Sequence, residues 1–150
     1  MTEQTSPQMV RKIILHNDVS ETPLIAEFMD DIMNVMSIDV PLSTRINLAL
    51  EEAVVNVMNY AYPEGEVGEI RLEAFAENGG LRFVIADKGC PFDPTASEEP
   101  DVTAGIDDRA IGGLGIFLVR HIMDNIHYER VGGQNVLTLW KKLNKTKPEG

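Results

Sequence analysis

The sequence predicts an α+β two-layer sandwich, in which helices cover one face of a mostly antiparallel mixed sheet. Three observations carry that expectation. Two apolar-alternating pairs of segments are each joined by a short turn, Asn78-Gly79-Gly80 and Val131-Gly132-Gly133, as in β-hairpins. Two helical patterns follow one another directly, with no strand between them. The resulting order is strand, helix, helix, hairpin, long loop, helix, hairpin, which keeps helices and hairpins apart.

Residues 1–9 are polar and are expected to form a mobile tail. Val10 to His16 (VRKIILH) reads as the first strand. Asn17-Asp18 ends it, Ser20 or Thr22 is expected to cap the next helix, and Pro23 sits in its first turn. In that helix Leu24, Ile25, Phe28, Ile32, Met33, Val35 and Met36 recur at spacings of three and four. The stripe suits either core packing or an interface. Met36-Ser37-Ile38-Asp39 closes the helix, and Pro41 opens a second one from about Leu42 to Ala61, stopped by Pro63 and Gly65. Glu69 to Ala76 and Leu81 to Ala86 form the first hairpin. Residues 88–112 carry no convincing element, and so long a loop inside a domain is usually functional or disordered. A helix from Leu114 to Asp124 leads into the second hairpin, Ile126 to Arg130 and Gln134 to Leu143. Residues 144–150 form a polar tail.

With 150 residues the chain is long enough for one domain, and 43% hydrophobic residues is ordinary for a globular protein. A formal net charge of −11 argues against direct nucleic-acid binding and against attachment to anionic lipid. No apolar run is long enough to cross a bilayer, and the polar start lacks the apolar stretch of a signal peptide, so a cytoplasmic location is expected. The single cysteine, Cys90, excludes an internal disulfide framework.

On the second helix Arg45, Glu52, Asn56 and Asn59 fall in a stripe about 60° wide at about 100° per residue, flanked by Leu48 and Val55 on one side and Ala49 and Ala53 on the other. A solvated face would be a broad arc of Lys and Glu. A carboxylate between apolar neighbours must be paired, reached by solvent through a cleft, or used. Glu52 and Asn56, spaced i and i+4, point the same way: the amide oxygen could ligate Mg²⁺, and the carboxylate could orient or deprotonate a nucleophile. A structural role, capping a neighbouring loop, is equally open. Glu51 lies off this stripe, nearer Met58.

The strand LRFVIA runs into Asp87-Lys88-Gly89-Cys90-Pro91-Phe92-Asp93. A carboxylate at the end of a buried strand can accept a hydrogen bond from a ligand edge, and glycine lets a ligand approach the backbone, although a simple turn uses the same residues. Gly112-Gly113-Leu114-Gly115-Ile116-Phe117 stands where the long loop becomes a helix. Glycines at a helix N-terminus leave free N–H groups at the positive end of the dipole, which suits phosphate. No strand leads into this box and no Lys follows it, so neither a dinucleotide fingerprint nor a Gly-Lys-Ser/Thr phosphate loop is present.

Taken jointly, these motifs resemble the Bergerat-fold ATPases, the superfamily of gyrase and the histidine kinases. Within it the chain resembles the small bacterial anti-sigma-factor serine/threonine kinases. Glu52-Ala53-Val54-Val55-Asn56, with Tyr60-Ala61-Tyr62 after it, matches that family's N box; Asp87 to Asp93 matches its first glycine box; and Gly112 to Val119, with Met123-Asp124 following, matches its second. The resemblance spans residues 10–143. It departs at Tyr60, where these kinases often carry His.

The resemblance implies a histidine-kinase-like ATPase domain over 10–143 with an ATP lid at about 94–111. It implies ATP and Mg²⁺ as cofactors, with Asn56 on the metal, and Glu52 as the catalytic base toward a protein serine or threonine. Asp87 would accept the adenine amino proton, Gly89 would make room for the base, and Phe92 belongs to the same box. The backbone around Gly112, Gly113, Leu114, Gly115 and Ile116 would hold the phosphates. Arg109 would reach the γ-phosphate or a partner carboxylate, or remain a solvated loop charge. The implied partners are a sigma factor, which is sequestered, and a STAS-type anti-anti-sigma protein, which is phosphorylated, with the kinase acting as a homodimer. The alternative is an ATP-binding module that gates a protein partner without significant kinase activity.

Overall fold

The computed structural model describes residues 6–96 and 113–143, with side chains described from residue 116 onward in the second segment. Arg109, Gly112, residues 1–5 and 144–150 of the expected tails and all of the expected lid beyond Ala96 lie outside the described residues, as do the side chains of Gly113, Leu114 and Gly115.

The first strand, β1 (Gln8–His16), begins two residues before its expected start, so Gln8 and Met9 belong to the sheet rather than to a tail. Their backbone pairs with Ala76 and Phe75, which extends the ladder past the point where side-chain alternation fades. A short 3-10 turn (Val19–Glu21) follows, capped by the Asp18 carboxylate, which accepts from the Ser20 N–H at 2.9 Å. Helix α1 (Pro23–Met36) then starts without a side-chain cap: Thr22 holds the cap position but makes no capping hydrogen bond. The carboxylate four residues earlier organises this corner instead. Ser37 ends α1 in the left-handed conformation, its N–H bonded to the Met33 carbonyl.

Helix α2 (Val40–Tyr60) is capped by Asp39, whose carboxylate accepts from the Leu42 N–H at 2.9 Å. Strands β2 (Glu69–Glu77) and β3 (Gly80–Asp87) turn at Asn78 and Gly79, with φ of 51° and 81°. Strands β4 (Asn125–Val131) and β5 (Gln134–Lys142) turn at Gly132 and Gly133, with φ of 61° and 77°. Two successive positive φ values make the tight turn whose twist matches antiparallel strands, which explains the glycines in both. Helix α3 (Gly113–Ile122) precedes β4.

The five strands are ordered β1-β2-β3-β5-β4, and all four pairings are antiparallel. The expected parallel component of a mixed sheet is therefore absent among the described residues: after α3 the chain re-enters at the far edge, and β5 returns beside β3 in the antiparallel sense. Register places Leu15, Ile70, Leu72, Phe83, Ile85, Leu137 and Leu139 on one face, all essentially sealed from solvent. Onto that face pack Ile25, Phe28, Met29 and Ile32 of α1 and Ile46, Leu50, Val54 and Val57 of α2. The Phe28 and Phe83 rings meet at 6.5 Å between centroids. Leu24 and Val35, periodic in sequence, stay exposed at the margins of the α1 stripe. Helix α2 is the central helix, packed against α1 on one side and α3 on the other. On the opposite sheet face Arg71 pairs with Glu73 at 2.9 Å, and the Arg82 guanidinium lies 4.8 Å from the Phe75 ring centre.

Candidate functional site

Strand alternation delivers the first functional side chain. Leu81, Phe83, Ile85 and Asp87 share the helix-facing side of β3 by period two, so the apolar row ends in a carboxylate. Asp87 is buried, 3% exposed. Its cross-strand neighbour on β5 is Asn135, in phase with Leu137 and Leu139 and 4% exposed. A buried carboxylate opposite a buried amide requires a complete set of hydrogen bonds, and the set is present. Asn135 Nδ2 donates to both Asp87 oxygens, at 2.8 and 3.1 Å, and to the Cys90 carbonyl at 2.8 Å. Asn135 Oδ1 accepts from the Phe92 N–H at 3.0 Å and from the Tyr128 hydroxyl at 2.5 Å.

Burial pushes the Asp87 carboxyl above its ordinary range, opposed by the Asn135 amide, the Gly89 N–H and the Arg130 charge. Arg130 also donates to the Gly89 carbonyl at 2.8 Å. The loop after β3 is thus pinned from below by β4 and β5.

From above it is pinned by α2. The Cys90 N–H donates to the Ala61 carbonyl at 2.7 Å. A Cβ on Gly89 would fall 2.3 Å from that same carbonyl oxygen, closer than any real contact allows. The constraint visible at Gly89 is therefore this approach to the end of α2, a reason distinct from room for a ligand. Phe92 is half-buried against the core, and its ring meets the Tyr60 ring at 5.5 Å. Beyond α2, the Tyr62 hydroxyl donates to the Glu69 carbonyl at 2.8 Å and accepts from the Lys88 N–H at 3.2 Å.

Glu52, Asn56 and Tyr60 are spaced by four, so they lie along one line of α2, and Tyr60 fixes where that line meets the glycine loop. Asn56 is 8% exposed and its side chain makes no hydrogen bond to another described residue; Glu52 is half-buried. The two outer members of the expected seam, Arg45 and Asn59, are exposed. The polar seam therefore narrows to the acid and the amide. Helix α3 begins at Gly113 and packs along α2, while the Ile116 side chain is buried in the core, leaving only its backbone for a ligand.

The fold thus draws Glu52, Asn56, Asp87, Gly89, Phe92 and the first turn of α3 around α2. Sequence reading missed Asn135, Tyr128 and Arg130. A signal for Asn135 exists: in QNVLTLWK it stands in phase with Leu137 and Leu139, where a polar residue must be buried.

A family model described as a histidine kinase-like ATPase domain matches residues 15–141. Among curated proteins, the chain is 34% identical over 98 residues to the serine/threonine-protein kinase BtrW of Bordetella bronchiseptica, covering 65% of this chain and 69% of that protein. It is 33% identical over 106 residues to the serine-protein kinase RsbW of Bacillus pumilus, covering 67% of this chain and 65% of that one. The chain spans about two thirds of the length of these relatives. Among solved structures, the histidine kinase domain of a blue-light activated histidine kinase from Erythrobacter litoralis superposes with a TM-score of 0.53 at 17% identity, over 81% of this chain and 60% of that one, a likeness of fold. The matched span runs from the last turn-facing residues of β1 to the end of β5 and includes the whole Asp87–Asn135 network, so the chain belongs to the histidine kinase-like ATPase domain family.

Proposed function

We propose that the chain is an ATP-dependent anti-sigma regulatory factor: a protein serine/threonine kinase that phosphorylates a STAS-type anti-anti-sigma protein and sequesters a sigma factor. The observation that carries this reading is the buried Asp87 carboxylate, followed by a loop that is held at Cys90 and Phe92 against the end of the helix bearing Glu52 and Asn56. The kinases named BtrW and RsbW at about one-third identity support it.

The roles follow from the chemistry of each group. Asp87 accepts the exocyclic amino proton of adenine, and the Gly89–Phe92 loop frames the base. The N–H groups at the start of α3, from Gly113 to Ile116, hold phosphate oxygens at the positive end of the helix dipole, and Gly112 belongs to the same sequence box. The Asn56 amide oxygen, a hard donor on a buried side chain that makes no hydrogen bond to another described residue, fits Mg²⁺. When bound, that ion would supply positive charge against the negative charge of the phosphates. Glu52 takes the proton of the acceptor serine or threonine as its oxygen attacks the γ-phosphorus. The bond from that phosphorus to the β,γ-bridging oxygen breaks, and ADP leaves with the electron pair. Arg109, a cation in the expected lid segment, is assigned to the γ-phosphate or to a partner carboxylate on its chemistry and sequence position alone. The protein acts as a homodimer in the cytoplasm; no helix among the described residues is long and apolar enough to cross a membrane.

The test is transfer of labelled γ-phosphate from ATP to a cognate STAS protein. The wild type labels its partner, and Glu52→Gln binds ATP but does not. A wild type that binds ATP and never labels the partner would return the reading to a nucleotide-gated module, which the departure from the kinase pattern at Tyr60 favours.

A further inference from the structure

Beneath Asp87 lies a short polar chain that neither the motifs nor the family resemblance accounts for. The Asn135 amide is saturated. Its nitrogen donates to Asp87 and to the Cys90 carbonyl, and its oxygen receives Tyr128 and the Phe92 N–H. An amide with every site used cannot turn over, because a flipped oxygen would face two acceptors. Its donor edge is therefore permanently toward Asp87, and Asp87 is permanently met by a donor. A group met that way presents an acceptor to whatever lies above it.

That fixed polarity discriminates between purines. A 6-amino purine offers N–H to an acceptor. A 6-oxo purine offers a carbonyl oxygen and meets Asp87 oxygen against oxygen, leaving buried groups unpaired. We propose that Asn135, locked by Tyr128, is a positioning residue that keeps Asp87 an acceptor and thereby sets the preference for ATP over GTP. This rests on the reading of Asp87 as the purine-binding acid.

The charged and titratable groups facing Asp87 are few among the described residues. Arg130 on β4 favours the carboxylate, Lys88 adjoins it in the chain, and the Tyr62 hydroxyl beyond α2, raised by burial, stays neutral across the acid range. Titration of ATP itself is common to wild type and variants, so a shift of the acid edge between them reports Asp87.

The experiment is calorimetric titration of the full chain with ATP and with GTP, each with Mg²⁺, from acid to neutral pH. Asn135→Leu removes a hydrogen bond to a charged group and is expected to weaken ATP by about tenfold to a hundredfold. GTP binding holds or gains, so the preference collapses. Without its donor the carboxylate protonates more readily, and the acid edge moves to higher pH. Tyr128→Phe leaves Asn135 in place and frees one lone pair; it is expected to move the same readings the same way by about twofold to tenfold. If Asn135→Leu does not fold, Tyr128→Phe decides alone. Folded variants with the wild-type ATP-to-GTP ratio and acid edge overturn the inference. A wild type that binds neither nucleotide, or an Asp87→Asn variant that binds ATP as well as the wild type, overturns the underlying assignment of Asp87 and the inference with it.

Discussion

At the scale of single residues, Asp87 sets function against stability. Its carboxyl is raised chiefly by burial. A carboxyl whose folded pKa lies above the unfolded value contributes stability that is complete below the unfolded pKa, 3.8, and is lost as pH rises through the folded pKa. At neutral pH the ionised group is thus a net burden on the empty protein. Asp87→Asn is expected to raise the melting temperature of the nucleotide-free protein at neutral pH and to do less in acid, as scanning calorimetry at both pH values will show. The same variant loses a charged acceptor and should bind ATP about tenfold to a hundredfold more weakly. Glu52 carries the other residue-scale prediction. Removal of a general base costs about a hundredfold to ten-thousandfold in rate, so Glu52→Gln should lose phosphotransfer by that factor while its ATP affinity stays close to wild type.

At the scale of elements, the site depends on how the loop after β3 is held to α2. The Cys90-to-Ala61 hydrogen bond and the absence of a Cβ on Gly89 let two backbones touch. Gly89→Ala must push the loop off the helix, and overpacking of this kind costs about 1–3 kcal/mol. Urea denaturation should show a midpoint lowered accordingly, and ATP affinity should fall with it, because the loop also carries Phe92. Both hairpins were legible in the sequence, since Asn78-Gly79 and Gly132-Gly133 have one tight turn open to them. The α2 motif was legible too, because helical spacing alone aligns Glu52 with Asn56. Two features were not. The start of β1 was hidden because Gln8 and Met9 are exposed and join by backbone pairing, which side-chain pattern does not report. The cap before α1 was misplaced because Ser20 and Thr22 have cap chemistry, but the Asp18 carboxylate caps a 3-10 turn ahead of α1, which itself starts with no side-chain cap.

At the scale of the whole molecule, topology brings separated motifs together. β5 inserts between β3 and β4, so Asp87, near the middle of the chain, acquires neighbours from residues 128 to 135. Local pattern cannot foresee a register, and this is why the motif residues were found and their supporting network was not. The order of elements did foresee one sheet covered on one side. Helix α2, packed between α1 and α3 over that sheet, is the beam on which acid, amide and glycine loops converge. On this account the molecule is a nucleotide site first, and partner exchange follows from what the site holds.

Calorimetric titration of the full chain with ATP in the presence and absence of Mg²⁺ tests that account most directly. We expect saturable binding to a single site, strengthened by Mg²⁺ in the wild type, abolished or much reduced in Asp87→Asn, and insensitive to Mg²⁺ in Asn56→Ala. Absence of any binding heat in the wild type, confirmed by a competition assay with a fluorescent ATP analogue, would contradict it.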